Sequence, residues 1–67
     1  MEEAFLDKLK GKQVRVIFND GSEVRSKVGT LLEIKDGFLI LQSEHGATEA
    51  IGGGVIIRVS EYWGDKE

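Results

Sequence analysis

The residue types that can do chemistry are few in this chain. Its single histidine, His45, lies between Glu44 and Gly46. A general base needs a substrate or nucleophile held beside it and a partner that orients its ring. Glu49 is the nearby acid in sequence, and nothing else supports a site, so His45 is expected to be a solvated turn residue. Cysteine is absent, which excludes a disulfide and a thiolate metal site. One histidine also excludes a histidine cluster. No phosphate-binding P-loop, dinucleotide-binding glycine pattern, nucleophile elbow or carboxylate-rich metal loop is present. The chain is therefore read as a non-enzyme, with no catalytic residue, no metal and no cofactor.

Binding is better represented. A sequence-tolerant site for single-stranded RNA needs a stacking ring, backbone amides and a few cations. Phe38 follows the turn Asp36-Gly37, which Lys35 flanks. Gly52, Gly53 and Gly54 expose backbone that can approach a phosphate or a base closely. Arg58 adds a cation in the strand that follows. These six residues are the candidate RNA-binding set. The competing expectation is that Phe38 fills the core, as large apolar residues mostly do, and that the glycines only make a turn. Arg15, Arg25 and Lys27 are a candidate basic patch, although outward cations also blunt strand edges. Tyr62 and Trp63 are either a partner anchor or a cover for one end of the fold, since such rings dominate interface hot spots.

The charge sits unevenly. Residues 8 to 35 carry seven cations against three acids, or +4. The first seven residues are −3 and residues 36 to 67 are −4, which returns the net −3. An acidic molecule can thus still present a basic face, although a mixed, solvated surface accounts for the same charges. Apolar residues make 40% of the chain and charged residues 31%, a globular composition. Apolar runs reach only four residues, as in Phe38 to Leu41, against the roughly 20 that a membrane helix needs. No signal peptide is visible, so the expected compartment is the cytoplasm and no membrane partner is expected. The 67 residues fit one domain, residues 1–67. A chain this small, without a disulfide, usually gains stability by assembling.

The elements that must position these residues are mostly strands. Residues 2 to 10 predict a short helix. Phe5, Leu6 and Leu9 share a face, acids lead, lysines trail and Gly11 caps. Val14, Val16 and Phe18 alternate with Gln13, Arg15 and Ile17 as one strand. Asn19-Asp20-Gly21 predicts a hairpin turn. Ser22 to Lys35 is a long second strand, in which Gly29 marks a bulge or bend. Asp36-Gly37 turns into a third strand from Phe38, and Glu44-His45-Gly46 turns it in its turn. Thr48 to Ile51 and Val55 to Ser60 are the fourth and fifth strands, with the glycine triplet between them. Val55, Ile57 and Val59 are expected on one side of the fifth strand and Ile56 on the other. The glycine content, absence of proline and strand count predict a mostly β fold. Its architecture is a short N-terminal helix, then a five-stranded, strongly bent antiparallel SH3-like small barrel over about 12–60. Closure of such a barrel would remove exposed edges. Residues 61–67 form a charged tail.

The pattern resembles the Sm-like family (Sm, LSm and Hfq proteins). Leu9-x-Gly11-Lys12-x-Val14-x-Val16, Asp20-Gly21 and Gly29-Thr30-Leu31-Leu32 are similar to the first Sm motif, and Phe38-Leu39-Ile40-Leu41 to its third strand. The segment from Ile51 through Gly52-Gly53-Gly54 to Val59 resembles the second motif. The likeness covers most of residues 5 to 60. It implies a homomeric ring, commonly of six or seven subunits, in which the fourth strand of one subunit pairs with the fifth of the next. It also implies single-stranded RNA on a ring face. The family's uracil-reading Asn position falls on Phe38. Gly52-Gly53 stands where the second motif has Arg-Gly, and the bacterial Tyr-Lys-His triplet is missing. The expected function is an Sm-like ring that binds single-stranded RNA weakly or with altered base preference. The alternatives are a protein-interaction module and a structural ring with no nucleic-acid role.

Overall fold

The computed structural model describes residues 3–64. A short helix, α1 (Glu3–Asp7), leads through a tight turn into five strands: β1 (Gln13–Asp20), β2 (Glu23–Lys35), β3 (Phe38–Gln42), β4 (Thr48–Gly52) and β5 (Ile56–Glu61). A single 3-10 turn, Gly53–Val55, joins the last two. All strands belong to one antiparallel sheet in the order β4-β3-β2-β1-β5.

That order has a geometric consequence. β4 and β5 lie at opposite edges, yet only residues 53–55 separate them. In a flat sheet, four spacings of about 4.8 Å would hold the edges ~19 Å apart. Four Cα steps reach ~14 Å at most. The sheet must therefore curl. The long β2 makes this possible by serving two partners in succession. Residues 23–30 pair with β1 and residues 30–35 with β3. Gly29 lies where the two halves meet, and a Cβ there would stand 2.9 Å from the Gln42 carbonyl oxygen. Only glycine lets the strands approach so closely. The register shift of β2 falls between Leu31 and Glu33, so the bulge is at Leu32 and not at Gly29.

Curling encloses a small core. Val14, Val16, Leu31, Leu39 and Leu41 are fully buried, and Ile51 nearly so. Leu6 and Leu9 close it from the helical segment. At about 25 cal/mol per Å2, each fully buried aliphatic side chain contributes roughly 1.5–3 kcal/mol. Backbone bonds from Gly11 N–H to the Leu31 carbonyl (2.8 Å) and from Leu31 N–H to the Lys12 carbonyl (3.0 Å) fix the helical segment to the sheet.

Several expectations shift. The helix ends at Asp7 and a turn follows through Gly11, so it is shorter than residues 2–10; Glu2 lies outside the described residues. The first hairpin turn is Gly21-Ser22, because β1 runs to Asp20 and Asp20 pairs with Glu23. Gly21 has φ +75, which suits the first central position of a type II′ turn. Asp36 (φ 54) and Gly37 (φ 82) form the expected hairpin turn, both left-handed as a type I′ turn requires. β5 begins at Ile56 because Val55 belongs to the 3-10 turn, and it extends to Glu61, which takes that residue out of the tail. Its faces also differ from strict alternation. Ile17 pairs with Arg58 but Phe18 with Ile56, so Ile57 bulges out. Ile56 and Val59 then both pack on the core. Finally, no β4–β5 ladder exists among the described residues. The sheet curls but stays open, and both edges remain.

Candidate nucleic-acid interface

The Phe38 site is built by three segments. Lys35 pairs with Phe38 across the β2–β3 hairpin, and Phe38 pairs with Gly52 across β3–β4. Leu39 and Leu41 point into the core, so alternation sends Phe38 and Ile40 outward. Phe38 is 45% exposed and does not fill the core. Its ring edge would sit 3.7 Å from a Cβ at Gly52. That is ordinary contact, so the ring does not require glycine at 52, and much of the ring stays open. Such a ring can stack a base.

The glycine connection is held against the same turn. The Gly53 N–H donates to the Gly37 carbonyl at 2.8 Å, and the Gly53 carbonyl accepts from the Ile56 N–H. The Gly53 amide is thereby satisfied within the fold and is not offered to a phosphate. A Cβ at Gly54 would meet nothing within 4 Å, and none of the three glycines has a positive φ. Steric demand in the fold thus leaves Gly54 unexplained. Lys35, Phe38, Gly52 and Gly53 come together, with Gly54 beside them.

Arg58 does not join that cluster. It lies on β5 opposite Ile17 and lines a groove with Phe5, Leu6, Gly53 and Ile57. Gly53 is the residue that the two places share. Phe5 and Ile57 are large apolar side chains left open, Ile57 at 59%. The sequence carried a signal for Phe5, on the helix face of Leu6 and Leu9. It carried none for Ile57, whose exposure depends on the bulge.

Arg15, Arg25 and Lys27 do not form one patch. Lys27 pairs with the buried Val16, and Arg25 with Phe18, so both share the inward face of the sheet. Arg15 lies between Val14 and Val16 and points the other way. Each cation is also engaged. Arg25 Nε reaches Asp20 Oδ2 at 2.8 Å and its Nη2 reaches Glu23 Oε2 at 3.3 Å. Lys27 Nζ bonds Glu49 Oε1 at 2.6 Å. The Arg15 guanidinium stands 5.1 Å from the centre of the Tyr62 ring, within cation–π range.

The structure separates the tail pair. The Tyr62 N–H donates to the Gln13 carbonyl at 2.9 Å, and its ring folds back under Arg15. Trp63 stays 68% exposed. His45 is exposed in the β3–β4 loop, where Ser43 Oγ accepts from the amides of His45 and Ala47. Glu49 as the partner of Lys27 had no signal in sequence, because 22 positions separate them. Among the described residues, no three His, Asp or Glu side chains converge as a metal site, and no helix is long and apolar enough to cross a membrane. Compared with models of known families, with curated proteins and with solved structures, the chain matches none.

Proposed function

We propose that this chain is an Sm-like subunit, that copies of it join edge to edge into a ring, and that Phe38 serves as a stacking platform for single-stranded RNA. The observation that carries this reading is the pair of unpaired edges. β4 and β5 lie at opposite ends of one curled sheet and each leaves a row of backbone donors and acceptors without a ladder partner. Antiparallel pairing of β4 in one copy with β5 in the next would satisfy both rows. Apolar side chains flank each edge. Phe38 and Ile40 stand outward beside β4, and Phe5 and Ile57 beside β5. The residue pattern similar to the Sm motifs and the small core point the same way. The RNA part of the reading rests on the open ring of Phe38, next to Lys35. Catalysis has no place in it.

Native mass, measured with and without oligo-U and oligo-A, tests both parts. The expected result is a closed multimer that gains the mass of one oligonucleotide. A multimer that ignores both oligonucleotides would retain the assembly and remove the RNA role. A stable monomer would overturn the assembly. Phe38→Ala should cost roughly 1–3 kcal/mol of RNA affinity, as loss of one base–aromatic stack does. Unchanged affinity in a folded, assembled variant would remove Phe38 from the site.

A second reading draws on Trp63, the most exposed large apolar side chain among the described residues. In a protein-interaction module it would be the anchor. Trp63→Ala should then abolish partner capture and leave assembly intact.

A further inference from the structure

The ion pair Lys27–Glu49 joins strands that are not neighbours. Lys27 is on β2 and Glu49 on β4, with β3 between them in the sheet. Both side chains take inward positions. Lys27 pairs in register with the buried Val16, and Glu49 with the buried Leu41. The 2.6 Å contact therefore crosses the hollow of the curled sheet, not its outer surface. Among the described residues it is the one side-chain hydrogen bond between non-adjacent strands. It spans a recess bounded by Phe18, Gly21, Ile51 and Val55, where the β1–β2 hairpin faces β4.

The first half of β4 is anchored at its start by the β3–β4 loop, where the Ser43 N–H donates to the Ala47 carbonyl at 2.8 Å and Ser43 Oγ accepts from the Ala47 N–H at 3.2 Å, but little else holds its inward face. β4 makes a ladder with β3 alone, and Ile51 is its one buried side chain. The bond from Gly53 to Gly37 secures only the far end. Thr48, Glu49 and Ala50 have their pairing to Ile40–Gln42 and the Lys27 contact. An inward charge on an edge strand also discourages unwanted pairing, provided it has a counter-charge inside.

From this we infer that Lys27 and Glu49 form a latch across the hollow of the curled sheet, which holds the first half of β4 in its curled position and frees it when the pair separates. The inference deepens the assembly reading, because β4 is one of the two edges which that reading uses. The latch itself lies within one chain. Its contact is direct, yet both side chains are near 40% exposed, so concentrated salt can reach it. High ionic strength loosens β4, and low ionic strength holds it.

Amide hydrogen exchange of the full chain, read residue by residue, tests this. Glu49→Gln should speed exchange at Thr48–Ala50 by about three- to tenfold, the range of a modest charge-assisted contact. The amides of β1 should not change. Lys27→Met keeps most of the aliphatic stem and leaves Glu49 inward without a counter-charge, so it should speed exchange further. The exchanged pair Lys27→Glu with Glu49→Lys should restore protection. Wild-type exchange in either single variant would overturn the latch, as would a folded double variant that stays unprotected. Native mass of the same samples separates the two ideas. A chain that assembles normally while these amides ignore both substitutions disproves the latch and leaves assembly standing. A monomer whose β4 amides respond as expected keeps the latch and removes the assembly.

Discussion

The two free edges of the sheet are guarded differently. β4 is short, carries one buried side chain, and turns a carboxylate inward to Lys27. β5 has no inward charge in its middle. It carries a bulge at Ile57, rests Ile56 and Val59 on the core, and leaves Ile57 open beside Phe5. The middle of one edge is thus held by a polar contact and the middle of the other by apolar packing, with a second ion pair, Glu61 to Lys12 at 3.7 Å, only at the end of β5. Surfaces so unlike do not suit self-matching across a two-fold axis. They suit a head-to-tail contact, in which different patches meet and successive copies close a ring or extend a filament.

The largest expected effect comes from removing what both edges lean on. Leu39 is fully buried and pairs with Ile51 on β4. Leu39→Ala should cost about 2–5 kcal/mol of unfolding free energy, as large-to-small core changes do, which a urea titration measures. In so small a domain that is much of the total stability. A cost under about 1 kcal/mol would mean that β4 and β5 hold the fold without the central wall. Ile57→Lys is gentler and more selective. Its side chain is mostly open, so the stability of the single chain should change by no more than about 0.5 kcal/mol. Association should weaken by at least about tenfold, or 1.4 kcal/mol, by sedimentation. Unaltered association would make β5 the passive edge and reverse the comparison. The smallest effect is expected at Gly54. No neighbour or positive φ requires glycine there. Gly54→Ala should stabilise the chain by about 0.4–1 kcal/mol through the unfolded state, seen as a rise in Tm. If assembly or RNA binding falls while Tm rises, a partner and not the fold is what uses the glycine.

The fold was legible where one residue's position determines the next. Val14 and Val16, and later Leu39 and Leu41, alternate cleanly and are buried accordingly. Asp36-Gly37 names its own turn, because few other pairs adopt two left-handed residues. Legibility ended where spacing slips by one. The bulge at Ile57 has no local marker, so Ile56 was expected on the wrong side of β5. Lys27 and Arg25 were expected outward because they are charged. Counting by twos from Leu31 through Gly29 already placed them inward. For the candidate site, the hairpin spacing of Lys35 and Phe38 was readable, whereas the meeting of Gly37 with Gly53 depends on the curl of the whole sheet. The openness of the sheet was not readable either, since a ladder between β4 and β5 depends on curvature and not on any residue in them.

The three residues between β4 and β5 also act as a gauge. They limit the gap at one end of the opening, because Gly52 and Ile56 cannot stand farther apart than three intervening residues allow. In the proposed head-to-tail assembly that limit bears on the wedge angle each copy contributes. A closed circle needs these angles to sum to a full turn, so the length of one short connection helps to decide how many copies complete it. Lengthening that connection by a single residue would relax this limit without touching either edge.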